Sequence, residues 1–252
     1  MKQFFSILGF VFKLWVGICF VITLLFFYPF IAITLVKKSW RRFSFPINVV
    51  WSWTMRILTC VHTWKMTNEK LPKGPFLIVA NHASYFVIFL MYSLLPHHRF
   101  LFMGKSEILS YPLVKTFFKY LNIPVYRNDK LKSAKAFIQA KKAIEEGWSI
   151  VLFPEGGIPD FDRPQMISFK DGAFKLAKSA KIPIVALTFL DNYHIFSDPS
   201  QLDYAHPGIS RVYIHPVISK EECAEKSEKE LSEQVFELIE TPVIKHGLVK
   251  KN

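Results

Sequence analysis

The chain is poor in cysteine, with only Cys19, Cys60 and Cys223. An odd count at wide spacing gives no disulfide framework and no cysteine-based zinc site, and it fits a reducing compartment. The three read as small buried or lipid-facing residues. Acids are also scarce: 20 Asp and Glu face 32 Lys and Arg, for a net charge of +12. Residues 1–72 hold a single acid, Glu69, against nine basic residues, a net +8 of that +12. Basic residues beside apolar segments favour anionic lipid headgroups by about 1 kcal/mol each. No zinc-finger spacing, RNP-like strand or basic heptad accompanies the charge, so nucleic acid is not expected as a partner. No Gly-x-Ser-x-Gly elbow is present, which argues against a serine nucleophile of that kind. Gly104-Lys105-Ser106 is not a phosphate-binding loop, because Arg99 stands where its first glycine is required. Internal repeats and low-complexity tracts are absent.

What the chain does have is apolar mass: 51% hydrophobic and 16% aromatic residues, with 25 Phe, lean toward membrane association. Leu14–Val36 runs 23 residues without a charge. At about 1.5 Å per residue it is long enough to cross a hydrocarbon core. Pro29 is expected to kink or divide it. Lys37, Lys38, Arg41 and Arg42 follow, and the positive-inside bias places residue 37 onward in the cytoplasm. A second stretch, Phe45–Trp64, carries Trp51, Trp53 and Trp64 and reads as a helix in the membrane interface. The pair could span the bilayer or form a re-entrant hairpin. These readings divide the chain into anchor helices over 1–64 and a second domain over 65–252.

From residue 73 the pattern changes. Strands are expected at 76–80, 122–126, 149–153, 183–189 and 211–217, with helices at 85–95, 107–120, 130–146, 168–180 and about 220–240. Strands alternating with helices imply an α/β fold with a mostly parallel sheet flanked by helices. Gly147 closes one helix, and Ser219-Lys220-Glu221-Glu222 has capping-box spacing at another.

Two apolar runs end in residues with chemistry. Phe76–Ala80 leads into Asn81-His82-Ala83-Ser84-Tyr85-Phe86-Val87, and Ile150–Phe153 leads into Pro154-Glu155-Gly156-Gly157. Strand ends are where α/β proteins place their sites. A lone histidine there is more often structural. The polar neighbours Asn81 and Ser84, and a helix starting at once, raise the odds for His82 as a general base. Arg127, after Asn122-Ile123-Pro124-Val125-Tyr126, reads either as a surface arginine or as a phosphate fork.

In order and spacing these motifs resemble the glycerolipid acyltransferases, the lysophosphatidic acid acyltransferase family, over about residues 65–220. The resemblance implies that His82 takes a proton from a hydroxyl of the acceptor lipid, whose oxygen then attacks an acyl thioester. It implies substrate-binding roles for Lys105 (in Lys105-Ser106-Glu107), Arg127, Glu155, Gly156 and Gly157, and a donor-pocket role for the strand Ile182–Leu187. The family usually continues its glutamate loop with Thr-Arg. Here Gly157-Ile158 follows, and Arg163 or Lys170 could substitute. The implied reaction joins a fatty acyl group to a lysophospholipid, most simply 1-acyl-glycerol 3-phosphate, giving phosphatidic acid. The implied donor is acyl-CoA or acyl carrier protein, with no bound cofactor and no metal. The implied partners are membrane lipids and the lysophospholipid. The implied location is a membrane, the bacterial inner membrane, with the catalytic domain on its cytoplasmic face.

One position departs from the family. Its first block reads Asn-His-x-x-x-x-Asp, and Val87 stands in place of the Asp. Valine cannot orient the imidazole or stabilise its protonated form. Three readings follow: crippled catalysis, replacement by another acid (Asp160, Asp162 or Asp171), or a lipid-binding relative without turnover.

Overall fold

A computed structural model describes residues 2–158, 166–197 and 205–248. Its elements run α1 (Lys2–Leu35), α2 (Ser44–Leu58), β1 (Val61–Lys65), β2 (Leu77–Ala80), α3 (Val87–Leu94), β3 (Phe100–Lys105), α4 (Pro112–Leu121), β4 (Ile123–Val125), α5 (Lys130–Glu145), β5 (Ser149–Leu152), α6 (Gly172–Ala180), β6 (Ile184–Phe189), α7 (Asn192–Ile195), β7 (Gly208–Ile214), α8 (Lys220–Glu225) and α9 (Glu228–Lys245). The seven strands form one sheet in the order β1-β7-β6-β2-β5-β3-β4. All neighbours pair in parallel except β6 and β7.

The parallel strands are short apolar runs because both faces are covered. Every residue of β2 and β6 is buried. Right-handed crossovers fix the layers. The chain moves outward through β2, β3 and β4, so α3 and α4 share one face. It returns through β5 and β6, which puts α5 and α6 on the other. α9 joins that second face, where Thr188 Oγ1 on β6 donates to the Ile239 carbonyl.

Caps set the helix ends. Asp129 accepts the Lys132 N–H at 3.0 Å to start α5, and Gly147, at φ +87°, ends its last turn. The reciprocal capping box belongs to Ser227 and Glu230 at α9. At α8, Ser219 accepts the Glu222 N–H. The single helix expected over 220–240 is therefore two, broken at Lys226-Ser227.

The N-terminal helices extend the α3–α4 layer, packing polar and apolar groups inward and leaving apolar groups outward. Trp51 Nε1 donates to Thr23 Oγ1 at 2.9 Å, Ser52 Oγ donates to the Phe89 carbonyl, and Tyr28 meets Phe117 edge-on at 5.0 Å. Outward lie Ile22, Leu25, Phe26 and Ile33 of α1 and Trp53 and Ile57 of α2, all exposed. The stretch Ser6–Leu35 is long and apolar enough to cross a membrane, and only a third of its most apolar window is buried. A core helix of a soluble protein would be mostly covered. α1 stays one helix through Pro29.

Several expectations are corrected. The stretch 45–64 is not one helix: α2 ends at Leu58, Cys60 adopts φ +52°, and residues 61–65 turn into an edge strand pairing with β7. Strand β7 covers 208–214 rather than 211–217, because Pro216 has no N–H for a ladder. Helix α4 starts at Pro112 after a 3₁₀ turn over Ser106–Ser110. α6 starts at 172, not 168. Strand β3 was not expected at all, although Phe100–Met103 is a buried apolar run.

Candidate active site

The sheet topology builds the site. β2, β5, β3 and β4 are consecutive and parallel, so their carboxyl ends line one edge. His82 follows β2, Glu155-Gly156-Gly157 follow β5, Lys105 is the last residue of β3, and Arg127 follows β4. All but Glu155 line one cavity of about 1350 Å³.

Asn81 fixes the end of β2. Its amide nitrogen donates to the Phe189 carbonyl at 2.9 Å, and its amide oxygen accepts the Phe189 N–H at 2.8 Å. The side chain thus extends the β2–β6 ladder by one step. Ser84, fully buried, accepts the Phe86 N–H and turns the chain into α3.

Between these anchors the His82 ring stacks on Phe153, centroids 4.2 Å apart and planes 15° from parallel. The Glu155 carboxylate, 3% exposed, accepts the His82 backbone N–H at 2.8 Å and the Ile167 N–H at 3.4 Å. Burial raises this carboxyl to about 7, against the pull of those two N–H groups. Burial also lowers the His82 imidazole to about 4, and the nearby Lys105 charge pushes the same way.

His82 Nδ1 is buried and has no hydrogen-bond partner among the described residues. Val87 is fully buried in the first turn of α3. An acid at position 87 is what the resemblance assigned to this imidazole, and none of the described carboxylates replaces it at Nδ1. Asp171, at the start of α6, gives that atom no hydrogen bond. Asp160, Asp162 and Arg163 lie outside the described residues.

The cationic end rests on glycine. Gly156 adopts φ +81° and gives its carbonyl to the Arg127 guanidinium. A Cβ on Gly156 would lie 2.7 Å from Arg127 Nη2, and one on Gly157 would lie 2.8 Å from Lys105 Nζ. Both cations therefore pack directly on bare backbone. Lys170 joins them: its N–H donates to the Pro154 carbonyl at 3.1 Å, and Arg127, burial and Lys105 lower its ammonium. Glu107 lines the cavity from the 3₁₀ turn.

The rest of the cavity is mostly apolar, with Lys13, Asn48, Ser110, Asn122 and Ser133 among its other polar lining. Leu14, Phe20 and Leu24 of α1, Met55 of α2 and Phe117 and Leu121 of α4 line it. Imidazole, cations and an apolar chamber are thus continuous. Among the described residues no three His, Cys, Asp or Glu side chains cluster to hold a metal.

The sequence brought forward His82, Lys105, Arg127, Glu155, Gly156 and Gly157, and the fold brings all six to one edge of the sheet; Glu155, expected to bind substrate, is instead buried off the cavity and holds the His82 backbone. It missed Asn81 as a clamp between strands and Phe153 as the platform under the imidazole. It also missed the helices α1, α2 and α4 as cavity walls. An aromatic residue directly before the Pro-Glu-Gly turn was the available signal for Phe153.

The Acyltransferase family model matches residues 63–190. The 1-acyl-sn-glycerol-3-phosphate acyltransferase BAT2, chloroplastic, of Brassica napus is 27% identical over 194 residues, 76% of this chain and 54% of that protein. A 1-acyl-sn-glycerol-3-phosphate acyltransferase of Saccharomyces cerevisiae is 30% identical over 135 residues, 52% of this chain and 44% of that one. The chain spans about half the length of the curated relatives it matches. In fold it matches the crystal structure of the 1-acyl-sn-glycerophosphate (LPA) acyltransferase PlsC from Thermotoga maritima, with TM-score 0.75 and 19% identity over the whole of both chains. With the family's pattern running through β1 to β6 and its histidine block at the sheet's carboxyl edge, this chain belongs to the acyltransferase family.

Proposed function

We propose that this protein transfers a fatty acyl group from an acyl thioester to the free hydroxyl of a lysophospholipid, 1-acyl-glycerol 3-phosphate, giving phosphatidic acid. The observation that supports this most is the continuity of one cavity from the Lys105–Arg127–Lys170 cluster, past His82, into an apolar chamber. A phosphate suits the cations, and fatty acyl chains suit the chamber.

In this reading Nε2 of His82 takes the hydroxyl proton as the oxygen attacks the thioester carbonyl. The tetrahedral intermediate then collapses, the C–S bond breaks, and the departing thiolate takes the proton from the imidazolium. Glu155 holds the His82 backbone, and Phe153 holds the ring plane. With no carboxylate at Nδ1 among the described residues, the imidazolium lacks that stabilisation in this reading, so turnover is slow. The donor is acyl-CoA or acyl carrier protein. The exposed apolar faces of α1 and α2 enter the bilayer, with the site on its cytoplasmic side, as at a bacterial inner membrane.

The unpartnered Nδ1 also favours a second reading, a lipid-binding relative without turnover. The missing Thr-Arg leaves a third, an acyltransferase for a phosphate-free lyso-lipid. Labelled palmitoyl-CoA and palmitoyl-loaded acyl carrier protein, each offered with 1-acyl-glycerol 3-phosphate and with monoacylglycerol, separate them. Preferential labelling of the phosphate acceptor supports the proposal. Labelling of neither, with lipid still bound, supports the second reading. Labelling of monoacylglycerol alone supports the third.

A further inference from the structure

Helix α5 has two working faces. One turns to the cavity, where Ser133 and Phe137 are part of the wall. The other is fully open. Leu131, Lys135, Ile138 and Lys142 follow one another at helical spacing and form a single stripe along it. Leu131 is 78% exposed and Ile138 65%. From Lys130 to Ile144 the helix carries no acid, and Lys130 and Lys132 add to its charge. This stripe lies on the α5–α6 side of the sheet, opposite the α3–α4 layer that carries α1 and α2. The bilayer-seeking apolar surface is therefore elsewhere, and Leu131 and Ile138 are not covered by lipid on the account above.

We propose that this stripe is the docking site of a small acidic protein that carries the acyl chain as a thioester on a flexible arm, an acyl carrier protein. The inference rests on the acyl-transfer reading and adds to it a docking surface for a protein-borne donor, with palmitoyl-CoA still accepted. Charge complementarity selects an acidic partner. Two exposed aliphatic side chains at i and i+7 between lysines select a partner helix with an apolar centre and an acidic rim. Coenzyme A could use the lysines but has no use for Leu131 and Ile138. Position fits as well: Arg127, in the cavity, lies two residues before the Asp129 cap of α5. A carrier seated on the stripe sits beside the cavity into which its thioester must reach.

The test uses the full chain in detergent with a purified acyl carrier protein, measured by binding and as the palmitoyl-loaded donor, and palmitoyl-CoA as the second donor. The variant combines Leu131→Gln, Lys135→Glu and Ile138→Gln, all exposed and outside the cavity wall. The expected result is a carrier Kd raised about tenfold or more, with KM for palmitoyl-CoA changed less than about twofold. An unchanged carrier Kd, an equal loss with both donors, or no carrier binding by the parent chain overturns the proposal. Carrier binding lost in the variant, in a parent chain that acylates no acceptor from either donor, would support the docking site while sinking the acyl-transfer reading.

Discussion

Replacing Val87 with aspartate should restore rate. The residue is fully buried in the first turn of α3, five positions after His82, whose Nδ1 has no hydrogen-bond partner among the described residues. A carboxylate there would accept the Nδ1 proton, fix the tautomer that leaves Nε2 free as a base, and stabilise the imidazolium. Loss of the equivalent carboxylate in a serine-protease triad lowers turnover by roughly 10⁴, or about 5.5 kcal/mol of barrier. The gain here is smaller, because a carboxylate must be desolvated where valine now sits. A rise of at least about a hundredfold, near 2.7 kcal/mol, is expected. Burial holds His82 near 4 now, and the new charge would raise it, moving the acid limb of the pH–rate profile upward. Initial rates with labelled palmitoyl-CoA and 1-acyl-glycerol 3-phosphate across pH read both effects. Val87→Asn, which adds no charge, should recover far less. If the Val87 protein is already as fast as the Asp variant, the oriented-imidazole argument is wrong for this chain.

Other changes test the supports. Asn81→Ala removes both side-chain bonds to Phe189 and strands two buried backbone groups; a loss of about 2–4 kcal/mol in denaturant unfolding is expected. Gly156→Ala forces a Cβ against the Arg127 guanidinium at φ +81°. It should cost about 1–2 kcal/mol in backbone strain, and it should raise KM for the phosphate acceptor more than for palmitoyl-CoA. Glu155→Gln keeps an acceptor for the His82 N–H but removes a titration. Because burial raises Glu155 from 4.5 to about 7, the fold holds its proton longer than the unfolded chain does. Its contribution to stability is complete below pH 4.5 and is lost as pH rises through 7. Thermal unfolding of the variant should therefore be flatter across that window than that of the parent.

The fold was legible where local chemistry and tertiary context agree. The apolar runs at 77–80, 149–152 and 184–189 announced central strands because both faces of a parallel sheet are covered. Edge elements were less legible. β1 follows a tryptophan-rich helix and shares its aromatic character, so Trp64 read as an interface anchor when it belongs to a strand. β3 ends in Gly104-Lys105, a pair that reads locally as a turn. In the site, the ends of β2 and β5 were visible as polar residues after apolar runs. The Asn81–Phe189 clamp was not, because it depends on β6 lying beside β2 across 108 residues of chain. Lys105, Arg127 and Lys170 were each named as candidates, but their meeting in one cluster was hidden for the same reason. Lys105, Arg127 and Lys170 come from three separate segments, and only the strand order brings them to one mouth.

The central claim is that the His82 imidazole removes the acceptor's proton and that position 87 acts through it. A double-mutant cycle measures this directly: acyl transfer by the parent, His82→Ala, Val87→Asp and the combined variant. The account predicts that His82→Ala abolishes transfer and that Val87→Asp adds nothing once His82 is gone. Undiminished transfer by His82→Ala, or the same acceleration by Val87→Asp with and without the imidazole, would contradict it.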